Sequence, residues 1–596
     1  MIWILILHYQ INTLELQFNL EEEEKKKNLS AKEKLLLYCQ NLTKGYPVKV
    51  DNLTTHFSDG SVLACMIHAK KPNTINPRKI IACQDKLLNV QETMAILEKE
   101  FDVPHVIAPE NVTEEPDEKA MMTFLSYFIQ GLEKFPTVKF GLDDENEEEE
   151  LLDEPTQVHS APPETPTVDI VPRRVLNLGK GENSSSDAYF YKSENAWKAV
   201  SWKDFSGEVF SIARSLVSVG IAKSDRVAIM GANASSWTIS YLAAQTIGAI
   251  PIGIYETCSV SSAKYVLEHS EATILFVFRE AEFKKILEIR SQLPNLKRIV
   301  LFKETGETGS DGNSILSWNQ FIQLGESTQE SQVMDILSQI QEEDEATYIY
   351  TSGTTGHPKA VILTHANLNW VSREVIKMHN ITSQDFSLSY LPLSHIAEQV
   401  FTILLPASNG SKIYYCEGTL KILDNLKEIQ PTLVFAVPRV WEKMYTGLST
   451  KVPFSQLEKV PKETKTQLLT AVGLSRARIP CVGAAPIDLS ILKYFEALGL
   501  NIYEVYGQSE DCGPTTFNTE KEFRLGSAGK PFPGLEVKIA EDGEVLVKGP
   551  TVFKGYFKDN EATESTLKDG WLYSGDLGKF DNDGFLFITG RKKDIM

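Results

Sequence analysis

Ala346-Thr347-Tyr348-Ile349-Tyr350-Thr351-Ser352-Gly353-Thr354-Thr355-Gly356-His357-Pro358-Lys359-Ala360-Val361-Ile362-Leu363 is the stretch on which the rest of the chain turns. Two β-rich segments, Thr347 to Tyr350 and Val361 to Leu363, flank a loop of hydroxyls and glycines closed by proline and lysine. That composition suits a polyphosphate. Gly353 and Gly356 let backbone N–H groups approach an anion, Thr351, Ser352, Thr354 and Thr355 add hydroxyl donors, and Lys359 brings charge. An ordinary polar hairpin turn is the plain alternative. The run is not a Walker loop, because Gly356 is followed by His-Pro-Lys where that motif needs Gly-Lys-Ser/Thr leading into a helix.

Around this loop, strand and helix patterns alternate from Trp202 onward. Arg226 to Met230, Ile250 to Ile254 and Ile274 to Val277 read as strands, and Ser236 to Ile247 and Val260 to His269 as helices. Such alternation predicts mostly parallel sheets covered by helices, with ligands outside the carboxyl ends of the strands.

The loop resembles the phosphate loop of the adenylate-forming superfamily, which comprises acyl-CoA synthetases, luciferases and peptide-synthetase adenylation domains. Further motifs follow in that family's order. Tyr390-Leu391-Pro392-Leu393-Ser394-His395-Ile396-Ala397-Glu398 and Pro438-Arg439-Val440-Trp441-Glu442-Lys443 are similar to segments of the long-chain and bubblegum-type enzymes. The resemblance puts His395 near an acyl and pantetheine channel; a capped helix start is the alternative. It sets Gly483, Ala484 and Ala485 along adenine, and Tyr506-Gly507-Gln508-Ser509-Glu510 around base, phosphate and metal. Tyr506 would stack on the purine, the Ser509 hydroxyl would bond phosphate, and Glu510, with Thr351, would hold Mg2+. Asp576 in Trp571-Leu572-Tyr573-Ser574-Gly575-Asp576 would accept from the ribose hydroxyls, and Arg591 would add a second ribose contact. Magnesium keeps several waters and takes one or two carboxylates, so a single glutamate suffices. Lys359, Thr351, Glu510 and His395 are the expected catalytic groups.

Residues 30–135 read as helical throughout. Leu35-Leu36-Leu37-Tyr38-Cys39-Gln40, Asn52-Leu53-Thr54-Thr55-His56-Phe57-Ser58-Asp59-Gly60 and Pro116-Asp117-Glu118-Lys119-Ala120-Met121-Met122-Thr123 resemble a calponin-homology domain, of the second-repeat type in α-actinin-like proteins. Asp59-Gly60 also reads as plain turn chemistry. Residues 1–29 then look like the last helix of a preceding repeat, at Ile2 to Ile11, plus a linker. In that family the first repeat carries most of the actin affinity, so F-actin binding is expected to be weak. Residues 136–172 hold the acidic run Asp143 to Glu150 and prolines at 155, 162, 163, 166 and 172, which predicts an extended, disordered tether from about Gly141 to Pro172.

The expected organisation is therefore multidomain. An all-α calponin-homology domain precedes an α/β adenylate-forming large N-terminal domain at 173–596, and the family's small C-terminal domain is missing beyond a hinge at Gly590 to Asp594. On this reading both ends look cut and the polypeptide turns over poorly. The 596-residue length and 42% hydrophobic content suffice for several cores, and a net charge of −20 argues against nucleic acid as a partner. Seven scattered cysteines with no C-x-x-C pair read as buried free thiols of a reducing, cytoplasmic compartment. Met1 to Leu7 is apolar but too short to span a bilayer.

The resemblance implies fatty acid, ATP and CoA as substrates with Mg2+ as cofactor. The reaction would be ATP-dependent fatty acid–CoA ligation tethered to an actin-binding type module, which implies cytoskeletal association, while peripheral membrane association would follow from a long-chain substrate. Two alternatives stand. One is an adenylation domain loading a carrier thiol. The other is a cytoskeletal adaptor whose synthetase domain binds nucleotide without activity.

Overall fold

A computed structural model describes residues 31–43, 48–70 and 85–101, scattered positions between 75 and 129, and residues 170–302, 314–351 and 357–595. The chain divides into two compact units, Met1–Leu151 and Leu152–Met596.

In the first unit, helices Ala31–Leu42, Ser61–Lys70 and Lys86–Phe101 form where the apolar periodicity predicts them. Leu35, Phe57, Leu63, Val90, Leu97, Phe124 and Phe128 share one buried core. Asp59-Gly60 is turn chemistry: Asp59 Oδ1 accepts from the Ser61 amide at 2.9 Å and hydroxyl at 2.6 Å, and Gly60 takes a φ of 74°. The expected orphan helix at Ile2 to Ile11 lies outside the described residues.

The second unit carries three sheets among the described residues. The first runs in space Gly555–Tyr556, Lys359–Thr364, Glu345–Thr351, Ile250–Ile254, Arg226–Met230, Ile274–Val277, Arg298–Leu301, Ile315–Ser317. Its pairings are parallel from Glu345–Thr351 to Ile315–Ser317 and antiparallel at the other edge. The strands Ile250–Ile254 and Ile274–Val277 are buried along their whole length, which is why they show no polar alternation. The second sheet runs Lys530–Pro531, Thr516–Phe517, Tyr503–Tyr506, Ile479–Val482, Leu433–Ala436, Phe386–Ser389, Lys412–Tyr415, Asp187–Ser193, Ala196–Ser201 and is parallel through its centre. The third is antiparallel, Glu536–Ile539, Glu544–Lys548, Trp571–Phe580 and Leu567–Lys568, with Leu586–Arg591 also paired to Trp571–Phe580.

The quoted loop joins neighbouring antiparallel strands, with Thr351 opposite Lys359. The return strand, not the loop, leads into the helix His365–His379, whose first turn Thr364 caps by accepting from the Asn367 amide. The separation from a Walker loop has this physical basis: a full strand stands between loop and helix.

Two details differ from the sequence expectation. The tether was expected to reach Pro172, but Ile170 and Val171 are fully buried and the helix Val171–Lys180 starts there. Pro172 sits in its first turn, where a missing N–H costs nothing. All seven cysteines are free, but Cys83, Cys258 and Cys416 are only part-buried.

Candidate functional site

The carboxyl ends of parallel strands are where an open α/β sheet exposes unpaired backbone and gathers side chains. Thr351 ends the strand Glu345–Thr351, Gly483 follows Ile479–Val482, and Tyr506 ends Tyr503–Tyr506. Ser352, Gly353, Thr354, Thr355 and Gly356 lie outside the described residues.

Three sheets contribute to one cluster. From the second sheet, the Tyr506 hydroxyl donates to Asp576 Oδ2 at 3.0 Å. Asp576 sits in the third sheet directly opposite Arg591, whose Nε lies 3.1 Å from Asp576 Oδ1. Burial, and then the Asp576 charge, push the Tyr506 phenol well above its ordinary range, so it remains a donor. From the first sheet, Tyr556 pairs with Val361, beside the Lys359 strand. Its hydroxyl donates to Glu510 Oε1 at 2.8 Å, and the Lys359 ammonium stands 4.9 Å from its ring centroid. Burial raises the Glu510 pKa, while the Tyr556 bond and the charges of Arg591 and Lys359 work the other way. The groups expected at polyphosphate, metal, base and ribose therefore share one neighbourhood.

Glu510 lies in a single 3-10 turn, Ser509–Asp511. Asp511 braces that turn: Oδ1 accepts from the Gln508 amide at 2.7 Å and Oδ2 from the Thr515 hydroxyl. Burial pushes the Asp511 carboxyl up to about 8. Ser509 is buried within the same turn. Gly507 has a packing reason to be glycine, since a Cβ there would stand 1.6 Å from the Gly513 carbonyl oxygen. Gly483 is likewise buried, a Cβ falling 2.8 Å from Val505 Cγ1, whereas Ala484 and Ala485 are exposed and Ala484 holds a φ of 69°. An exposed backbone of small side chains suits a flat ligand lying against it.

His395 is the residue the structure does not join to the cluster. Its Nδ1 accepts from the Ala397 amide at 3.2 Å, capping the helix Ile396–Gln399, and burial lowers its pKa. That is the helix-start alternative in geometric form.

Sequence reasoning missed Tyr556 and Asp511. Asp511 was within reach, being flanked by Glu510 and followed four residues on by Thr515. Tyr556 carries no local signal, because Phe553-Lys554-Gly555-Tyr556-Phe557 reads only as an aromatic strand. Mg2+ fits the donor set present: Glu510 Oε1 is occupied by the phenol, and among the described residues Oε2 has no hydrogen-bond partner. Such an ion needs only one or two carboxylates beside phosphate oxygens.

A lysine, an aromatic ring, a glutamate and an aspartate–arginine pair thus meet in one mixed α/β body, an arrangement consistent with a nucleotide site. Residues 181–557 match the AMP-binding enzyme family, to which the chain belongs, and residues 29–134 match the calponin homology (CH) domain. Long-chain-fatty-acid–CoA ligase ACSBG2 of Xenopus laevis is 34% identical over 451 residues, covering 68% of this chain and 60% of the relative. Long-chain-fatty-acid–CoA ligase ACSBG1 of Rattus norvegicus is 29% identical over 451 residues, 68% of this chain and 62% of the relative. The chain thus spans about 60% of the length of these curated relatives.

Among solved structures, the inhibitor-bound N-terminal domain of FACL13 from Mycobacterium tuberculosis matches with a TM-score of 0.58 at 21% identity, over 71% of this chain and 99% of that one. The anthranilate CoA ligase AuaEII in complex with anthranoyl-AMP matches with a TM-score of 0.60 at 22% identity, over 72% and 79%. Both establish the fold. No helix among the described residues is long and apolar enough to cross a membrane.

Proposed function

We propose that this chain is an ATP-dependent fatty acid–CoA ligase acting through an acyl-adenylate. The observation that carries the reading is the convergence of Lys359, Tyr506, Glu510, Asp576 and Arg591 from three sheets and the turn Ser509–Asp511, in a chain whose relatives are named as long-chain fatty acid ligases. A fatty-acid carboxylate oxygen attacks the α-phosphorus of ATP and pyrophosphate leaves. The CoA thiolate sulfur then attacks the acyl carbonyl carbon and AMP leaves. Carboxylate itself is a poor acyl donor, and the adenylate supplies the leaving group.

Positioning and charge neutralisation do most of this work. Lys359 offsets the polyphosphate charge beside Thr351 and the Ser352 to Gly356 loop. The ring of Tyr506, held by its hydroxyl on Asp576, forms one wall for the base, and the exposed backbone at Ala484 and Ala485 forms the other. Asp576 exchanges part of its bond to Arg591 for ribose hydroxyls, leaving Arg591 free to add its own contact. Glu510 would hold Mg2+, which would supply charge stabilisation on the phosphates. His395 serves the acyl and pantetheine channel through the helix it caps.

The match at residues 29–134 favours a second component, an actin-associated module that places the ligase. An adaptor with an inactive synthetase domain is the rival reading. Fatty-acid-dependent ATP–pyrophosphate exchange across acyl lengths separates them. Exchange is expected, with a loss of roughly 100-fold in Lys359→Ala and Asp576→Ala. Nucleotide binding without exchange at any acyl length would favour the adaptor.

A further inference from the structure

Lys359 and Glu510 have opposite charges and opposite tasks on the same ligand: one is to meet phosphate oxygens, the other a cation. Two such side chains left facing each other would form an ion pair, and each would neutralise the group the other needs. Lys359 is near enough for its charge to act on the Glu510 carboxyl. Yet no ion pair joins them among the described residues, where Tyr556 engages both. Its hydroxyl donates to Glu510 Oε1 at 2.8 Å and its ring receives the Lys359 ammonium at 4.9 Å from the centroid.

We infer that Tyr556 is a positioning residue that acts as a spacer, holding the phosphate-binding lysine and the metal-binding glutamate apart and correctly aimed before nucleotide arrives. The inference rests on the ligase reading of the site. The segment around Tyr556 is built for the task. The Phe553 amide donates to the Glu510 carbonyl oxygen at 2.8 Å, so backbone and side chain of one short segment grip the same glutamate. Backbone pairing of Gly555 with Ile362 and Tyr556 with Val361 sets that segment against the Lys359 strand. Phe553 packs edge-on against the Tyr556 ring at 4.8 Å between centroids. With Oε1 committed to the phenol, Oε2 is the oxygen offered to an ion.

A plain packing role would need only the ring. The hydroxyl on Glu510 and the ring under Lys359 are separable by substitution, which makes the inference testable. Tyr556→Phe keeps the ring and removes the donor. Tyr556→Leu removes both. Binding of AMP without metal, ATP without metal, and ATP over a Mg2+ titration is measured by calorimetry on the full chain, with thermal unfolding as the folding control.

Tyr556→Phe is expected to raise the half-saturating Mg2+ about tenfold, the scale of one hydrogen bond to a charged group, and to leave AMP binding within about twofold. Tyr556→Leu is expected also to weaken metal-free ATP binding several-fold while sparing AMP, which lacks the β and γ phosphates. An unchanged Mg2+ profile in a folded Tyr556→Phe chain, or equal losses for AMP and ATP, would overturn the spacer role alone. A wild-type chain that binds neither nucleotide would overturn the ligase reading and the spacer with it.

Discussion

Glu398 shows how far a buried charge can be managed by hydrogen bonds without becoming ionised. Its Oε1 accepts from Ser389 Oγ at 2.8 Å, Thr402 Oγ1 at 2.8 Å, the Tyr390 amide at 3.1 Å and Asn233 Nδ2 at 3.2 Å. Burial outweighs these donors and raises the carboxyl from its ordinary 4.5 to about 8. Below about pH 4.5 the group is protonated in both folded and unfolded chains. Between 4.5 and 8 the folded state keeps a proton that the unfolded state has lost, so stability falls as pH rises through that window and levels off above it. The total is on the order of a few kcal/mol. Glu398→Gln retains an acceptor oxygen and cannot ionise. Its advantage in thermal midpoint over wild type should therefore grow from pH 5 to pH 8 and then flatten; a constant difference across that range would refute the protonated assignment.

At the scale of elements, the hairpin and the helix behind it act as one unit. Thr364 and Asn367 form a reciprocal cap, the Thr364 amide donating to Asn367 Oδ1 at 2.9 Å. The same Asn367 side chain donates Nδ2 to the carbonyls of Pro550 at 2.7 Å and Val552 at 3.2 Å, immediately before the segment that grips Glu510. Helix start and site segment are thus fastened by one amide. Thr364→Ala should cost about 1 kcal/mol, the usual worth of a lost cap. Asn367→Ala strips the cap partner and leaves two carbonyls short of a donor, so its cost should be about 2–3 kcal/mol. Denaturant midpoints compare the two, and an Asn367 variant no worse than the Thr364 variant would separate cap from site segment.

The whole molecule consists of two units with separate cores. The stretch that joins them in sequence carries the acidic run Asp143 to Glu150 and repeated prolines, a composition with too little apolar surface to offset chain entropy. Limited proteolysis should cut between about Gly141 and Pro166 first. Each fragment should then unfold at the temperature it shows in the intact chain. Mass spectrometry locates the cuts and calorimetry compares the transitions; a shift of more than a few degrees on cutting would mean that the units stabilise each other.

Much of this fold is legible residue by residue. The strands Arg226–Met230, Ile250–Ile254 and Ile274–Val277 and the pairing of the hairpin follow from apolar runs, β-branching and the Gly, Pro and hydroxyl punctuation of the turns. Those signals are local, set by the conformational preferences of a few neighbouring residues. Lys359, Tyr506, Glu510, Asp576 and Arg591 are candidates because each stands in a short motif that resembles the adenylate-forming family, and a motif is likewise a local feature of the chain. What no stretch of chain contains is their meeting. Tyr506 reaches Asp576 across 70 residues and Tyr556 reaches Glu510 across 46, through side-chain bonds between elements of different sheets and turns. The same is true of the packing at Gly507, where only the fold brings the Gly513 carbonyl against it. Local chemistry selects the groups, because a side chain carries its donors and charge wherever it sits. Their distances, their burial and the choice of Tyr556 as the third party between a lysine and a glutamate come from sheet edges brought together by packing, a non-local outcome of the folded chain.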